Sequence, residues 1–136
     1  MLAENYFLEG NYFKTSKILK SFSERDEFYY WFRLKKEAQI ISKEQTDKES
    51  LIFITSNFKK FKDPSIKIIF DIANFNKNAE KYIEAIHFYD QILLSINADS
   101  PFYSEILYRR GSCHERLGDY KNSDKDLLKS LKINPD

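Results

Sequence analysis

Cys113, His114 and Glu115 stand side by side, the one place in the sequence where thiol, imidazole and carboxylate meet. A zinc site built from them would need three or four such ligands, and a thiol nucleophile would need a base held against it. The chain has one cysteine and two histidines. The second histidine, His87, belongs to a different helical unit, so neither constellation completes itself. Cys113 falls between Gly111 and Leu117 on a helix phased to face a neighbour, and we read it as a buried structural thiol. Gly-x-Ser-x-Gly, His-Glu-x-x-His and phosphate-cradling glycine loops are all absent from the sequence, and three glycines in total leave little to build such a loop from. The reading is a non-enzyme, with no catalytic residue, no metal ligand set and no cofactor.

Those residues are positioned by an element that repeats. Gly118-Asp119-Tyr120-Lys121-Asn122-Ser123 echoes Gly10-Asn11-Tyr12-Phe13-Lys14-Thr15. Glu80-Lys81-Tyr82-Ile83-Glu84-Ala85 has the same outline, and Gln45-Thr46-Asp47-Lys48-Glu49-Ser50 is a weaker copy. The sixth residue is short in all four, at spacings of 35, 35 and 38. Twelve residues before it stand Ala3, Ala38, Ala73 and Gly111, and four after it stand Leu19, Ile54, Tyr89 and Leu127. Sixteen before it, Leu34, Ile69 and Leu107 are aliphatic. A small residue at one point in each half of the unit, with large apolar residues a turn away, lets two helices cross closely. Each unit is therefore predicted to be an antiparallel helix pair, and pairs that cannot bury their own apolar faces must stack.

Composition agrees. Three glycines and three prolines compare with about nine and about seven at average usage, and all three prolines fall between units. Asp63-Pro64-Ser65 and Asp99-Ser100-Pro101 supply helix starts, and Asn134-Pro135 an end. Helices are expected at about 2–9, 11–23, 26–43, 47–61, 65–78, 80–96, 102–117 and 120–133, an all-α single domain with units at about 1–25, 26–63, 64–98 and 101–136. The apolar content of 42% suffices for a core, and a net charge of +1 gives no field for a polyanion. No apolar run reaches the length of about 20 residues that a membrane span needs, and Met1 to Phe13 lack the pattern of a secretion signal. A single thiol is compatible with either redox compartment.

From Ser104 to Asp136 the sequence resembles a tetratricopeptide repeat: mid-helix Gly111, the Gly118-Asp119-Tyr120 turn, short Ser123 and terminal Asn134-Pro135. The copy from Ile66 to Asn97 is similar through Ala73, Tyr82, Ala85, Ile86 and Tyr89, with Glu80 in place of the family's turn glycine. The unit around Ala38 and Ser50 is degenerate, and the first keeps only a stub of its first helix. Arg110 and His114 stand where the family prefers a large apolar and an aromatic residue, and Ser130 stands in a usual alanine column. The resemblance implies a right-handed α-solenoid whose first helices line a groove for peptides or folded partners. The C-terminal wording is also similar to bacterial members in which further repeats follow. The expectation is thus a segment of a longer bacterial chain, with uncapped terminal faces (Leu127, Leu128, Leu131, Ile133) prone to self-association.

The resemblance also implies which residues line the groove. They are Phe32, Lys35, Lys36, Gln39 and Lys43, then Lys67, Phe70, Asp71, Asn74, Lys77 and Asn78, then Glu105, Tyr108, Arg109, Ser112, Glu115 and Arg116. Its N-terminal part is mildly basic. That pattern is the ordinary one for a solvated helix face, and it would also favour an acidic or carboxylate-bearing peptide. A carboxylate clamp of the kind some family members use is not expected: Gln39 replaces an asparagine, and Asp71 and Glu105 set like charge against a carboxylate. Phe28-Tyr29-Tyr30-Trp31-Phe32 covers more than one helix face, so one or two of these rings should be only partly buried. The run reads as filling between units or as an aromatic anchor. The leading function is a protein-interaction scaffold. The alternative, an RNA-binding helical-repeat module of the pentatricopeptide type, would need a groove basic along its whole length, and acidic residues in the third and fourth units speak against nucleic acid.

Overall fold

The computed structural model describes residues 27–135. The helices expected at 2–9 and 11–23, with Ala3 and Thr15 of the repeat columns, lie outside the described residues. Within them are six helices and no strand: α1 (Glu27–Glu44), α2 (Asp47–Phe58), α3 (Ile66–Asn78), α4 (Tyr82–Leu93), α5 (Pro101–Arg116) and α6 (Tyr120–Ile133). All six agree with the expected ranges to within a few residues at each end. The chain divides into two compact units between Lys62 and Asp63. One contains the pair α1/α2, the other the pairs α3/α4 and α5/α6.

The starts of α2, α3, α5 and α6 are written in side chains that satisfy orphan amides. Thr46 Oγ1 accepts from the Glu49 amide at 3.1 Å, and Ser100 Oγ from that of Tyr103 at 3.1 Å, with Pro101 in the first turn. Ser65 does the same for Ile68 at 3.4 Å, and Asp119 for Asn122 at 3.3 Å. Hydrogen bonds from the Asn122 side chain and backbone hold the Asp119 carboxyl below its ordinary range. α4 has no side-chain cap.

The predicted columns are where the helices cross. Ala38, Ser50, Ile54, Ala73, Ala85, Tyr89, Gly111 and Ser123 are all buried. In the first unit Ser50 Oγ donates to the Ala38 carbonyl at 2.5 Å, a contact possible only when two backbones nearly touch. Trp31 packs on Phe58 and Phe61 within the same unit, at ring separations of 6.4 and 5.6 Å, while Phe28 and Tyr29 remain exposed. In the second unit Ala73, Ala85, Tyr89, Ile92, Ile106 and Cys113 form one core across α3, α4 and α5. At the last crossing, a Cβ on Gly111 would meet Asp126 Cβ and the Leu127 side chain at 3.1 Å.

The departures from the repeat pattern have partners of their own. Arg110 forms a fork on Asp126, Nε to Oδ2 at 2.8 Å and Nη2 to Oδ1 at 2.7 Å, and its Nη1 donates to Asp90 Oδ1 at 2.8 Å. One guanidinium thereby ties α4, α5 and α6 together. Asp126 is only 3% exposed, so its charge is tolerable because of that fork. These bonds outweigh burial and push Arg110 further into its cationic form. Ser130 and Ser104 exchange hydrogen bonds, each hydroxyl donating to the other's carbonyl at 2.8 and 2.9 Å. An alanine at 130 would leave that carbonyl without its donor.

Two predictions follow from backbone and charge. Glu80 and Gly118 occupy the same turn of successive pairs, both left-handed, with φ of 64° and 81°. Glu80→Gly should stabilise by up to about 1 kcal/mol, and Gly118→Ala should cost about 1 kcal/mol, although nothing lies within 4 Å of the added Cβ. Urea denaturation distinguishes the two signs. By the same assay Arg110→Met should cost about 3 kcal/mol by stranding the Asp126 carboxylate, and adding Asp126→Leu should recover most of it.

Candidate functional site

Along α3, Lys67, Phe70, Asn74 and Lys77 recur at helical spacing, and Glu105, Tyr108, Arg109, Ser112 and Arg116 do so along α5. The two rows meet in the second unit. Arg109 is the link: Nη1 donates to Asn74 Oδ1 at 3.3 Å, and the guanidinium lies 5.1 Å from the centre of the Phe70 ring. Glu105 fixes it from behind, accepting from Nη2 at 2.9 Å and Nε at 3.2 Å. Phe70 is edge-on to Phe102 at 5.3 Å. Two donors converge on Asn74 Oδ1, since the Tyr89 hydroxyl also donates to it at 2.5 Å. The amide is therefore oriented with its Nδ2 turned away from both. Burial is the main cause that raises Tyr89 above the ordinary phenol range.

A second cluster lies at the C-terminal ends of these helices. Lys77, Asn78, Glu80, Tyr82, Ser112 and Arg116 line an open cavity of about 300 Å³. Arg116 Nε donates to the Tyr82 hydroxyl at 3.0 Å, with the guanidinium 5.8 Å from the ring centre. That hydrogen bond raises Arg116 further into its charged range. The cavity thus has two cations, one carboxylate and three neutral polar groups.

The remaining candidates sit as follows. Lys67 pairs with buried Asp71 at 3.5 Å, and Tyr108 is exposed. Phe32, Lys35, Lys36, Gln39 and Lys43 belong to α1 in the first unit. Lys36 is buried, 7% exposed, with its ammonium 5.5 Å from the Phe32 ring centre, whereas Lys43 is exposed. Gln39 Oε1 is buried with no hydrogen-bond partner among the described residues. Sequence reasoning placed Tyr82, Glu80 and Tyr89 in the repeat register without assigning them to a site. The repeat register places Tyr82 against Tyr120 and gives no signal for its contact with Arg116, 34 residues away.

Cys113, His114 and Glu115 point three ways. Cys113 is in the core. His114 turns to α6, Nδ1 3.5 Å from Asp119 Oδ2 and Nε2 3.9 Å from Asp126 Oδ2, and Glu115 is exposed. Burial pushes the Cys113 thiol up, against a smaller opposing effect of the Lys77 charge. No helix among the described residues is long and apolar enough to cross a membrane.

Residues 104–136, the pair α5/α6, match the tetratricopeptide repeat family. Among solved structures, the crystal structure of MamA is similar at 12% identity and a TM-score of 0.71, over 99% of this chain and 75% of that one. A tetratricopeptide repeat protein from Parabacteroides merdae is similar at 21% identity and the same TM-score of 0.71, over 98% of this chain. The present chain spans about half of that protein, 51% of its length. No curated protein matches the sequence. At such identities the likeness to solved structures is one of fold.

A buried, protonated thiol should not react with a thiol reagent at neutral pH until the chain unfolds, which mass spectrometry of labelled native and denatured protein would show. The sign with pH follows from the upward shift. Above the ordinary thiol range the unfolded chain loses a proton that the folded one keeps, so stability should fall as pH rises there. Cys113→Ala should remove that dependence.

Proposed function

We propose that this chain, whose residues 104–136 match the tetratricopeptide repeat family and whose helix pairs share the fold of the similar solved structures, is a protein-interaction scaffold holding a segment of a partner protein on the face shared by α3 and α5. The observation that carries this reading is the convergence of Lys77, Ser112 and Arg116 on one cavity, beside a guanidinium immobilised by Glu105, Asn74 and Phe70. Side chains held before binding lose little freedom on binding, which favours recognition. Phe70 and Tyr108 supply flat apolar area next to them. In the first unit, taken by itself, Phe32, Lys35, Gln39 and Lys43 are binding residues in this reading, with Lys36 supporting Phe32 from its buried position.

The partner segment is acidic or carboxylate-bearing. Arg109 is neutralised by Glu105 and Lys67 by Asp71, so the charges that select a ligand are Lys77 and Arg116, with Glu80 limiting how much negative charge the cavity accepts. A face of this kind favours binding over catalysis.

Peptide-display selection against the full chain tests it. Asp- and Glu-containing sequences are expected to be enriched, and Lys77→Glu with Arg116→Glu is expected to weaken the selected peptides by at least about tenfold, the scale of a charged hot spot. Selection without acidic bias would remove the charge assignment. Salt-dependent retention of RNA on filters would favour the helical-repeat RNA-binding alternative instead.

A further inference from the structure

Glu80 is the one residue other than glycine, among the described residues, whose backbone is left-handed, with φ of 64°. The turn between α3 and α4 imposes that conformation, as the turn between α5 and α6 does on Gly118. At 118 a glycine meets the demand without strain; at 80 a side chain is held where L residues are disfavoured. Strain of this kind is concentrated at ligand clamps and switch regions. Nothing that the Glu80 side chain does within the described residues accounts for it. The side chain is exposed, its carboxylate takes no hydrogen bond or ion pair there, and α4 begins without a side-chain cap.

What Glu80 does have is a place. With Lys77, Tyr82, Ser112 and Arg116 it lines the open cavity of the α3/α5 face. Arg116 senses it there: after the Tyr82 hydrogen bond, which is the main cause, the Glu80 charge is one of the smaller effects that favour the Arg116 cation. A cavity with Lys77 and Arg116 alone would prefer the most anionic segment on offer. An unpaired carboxylate beside them changes that order. A ligand with two neighbouring carboxylates sets one of them against Glu80, whereas a ligand that brings a cation beside its carboxylate answers both signs. Alternate side chains of an extended segment share a face, so an acidic and a basic residue two positions apart present both charges to the cavity.

We propose that Glu80 is a specificity-determining residue of this cavity: it selects a partner segment in which a Lys or Arg stands two positions from the acidic residue held by Lys77 and Arg116, and rejects segments with a second carboxylate there. This rests on the reading that the cavity binds a partner's carboxylate, and adds the second charge that the partner must carry.

The test uses the full chain and three short synthetic peptides, neutral except at two positions: Asp-x-Lys, Lys-x-Asp and Asp-x-Asp. By fluorescence anisotropy at low salt, the better mixed peptide should bind at least about fivefold tighter than the diacidic one, the upper range for an exposed charge pair. Glu80→Gln should bring that ratio below about twofold, chiefly by tightening the diacidic peptide, and Glu80→Lys should invert it. Glu80→Gly removes strain and side chain together, so it should lose the preference while the fold gains stability, and misfolding cannot mimic that result. A carboxylate just before α4 also suits that helix's N-terminus. If that is its whole role, Glu80→Gln changes urea stability and leaves the peptide ratio as it was, which overturns the proposal. Equal binding of mixed and diacidic peptides by the unmodified chain overturns it as well. Lys77→Glu with Arg116→Glu tests the parent reading separately: if mixed-peptide binding survives it, the cavity is not the site, whatever Glu80 does.

Discussion

Each helix pair depends on two backbones coming close at a point where the side chains are nearly absent. Ala38 against Ser50, Ala73 against Ala85 and Gly111 against Ser123 mark that point in successive pairs, and all six residues are buried. Close approach brings the flanking large residues into each other's gaps, which is how Tyr89, Ile54 and Ile106 become fully buried in a chain of thin helical layers. It also allows hydroxyls to serve the opposite backbone, as Ser50 does for Ala38 and as Ser104 and Ser130 do for each other. The crossing is tightest at Gly111, where an added methyl group would press on Asp126 and Leu127.

The polar interior of the last pair is a consequence of that geometry. With α5 and α6 this near, Asp126 is removed from water, and an apolar residue at 110 would leave it stranded. Arg110 answers Asp126 and Asp90 with one planar group, the arrangement in which a guanidinium is most effective. His114, beside Asp119 and Asp126, belongs to the same seam. What reads as loss of repeat character at 110, 114 and 130 is therefore a coupled replacement of apolar packing by paired polar groups. At the preceding turn the substitution runs the other way: Glu80 takes the left-handed conformation that Gly118 adopts in the last pair, without glycine's freedom.

The face shared by α3 and α5 inherits its order from the same core. Tyr89 is buried because it sits on the crossing column, and its hydroxyl then fixes Asn74, which with Glu105 and Phe70 fixes Arg109. The polar side chains of this face are thus held by residues whose first role is packing. The two clusters it presents differ in character: a stacked and largely neutralised guanidinium at one, an open cavity with Lys77 and Arg116 at the other.

Helix number and range among the described residues, the helix starts at Asp63-Pro64-Ser65 and Asp99-Ser100-Pro101, and the columns of small residues at the crossings were all readable from one chain. Each is set by local chemistry or by a spacing that recurs: a side-chain oxygen beside an orphan amide, or a small residue every repeat. Helical phase also groups Phe70, Asn74 and Lys77 along α3 and Arg109, Ser112 and Arg116 along α5. Which of those side chains meet was decided only in three dimensions. Arg109 reaches Asn74 across 35 residues and Arg116 reaches Tyr82 across 34, while Lys36, equally basic in the sequence, is buried against Phe32. Periodicity assigns a residue to a face. Its partner depends on the distance and rotation between packed helices, and no single helix encodes either.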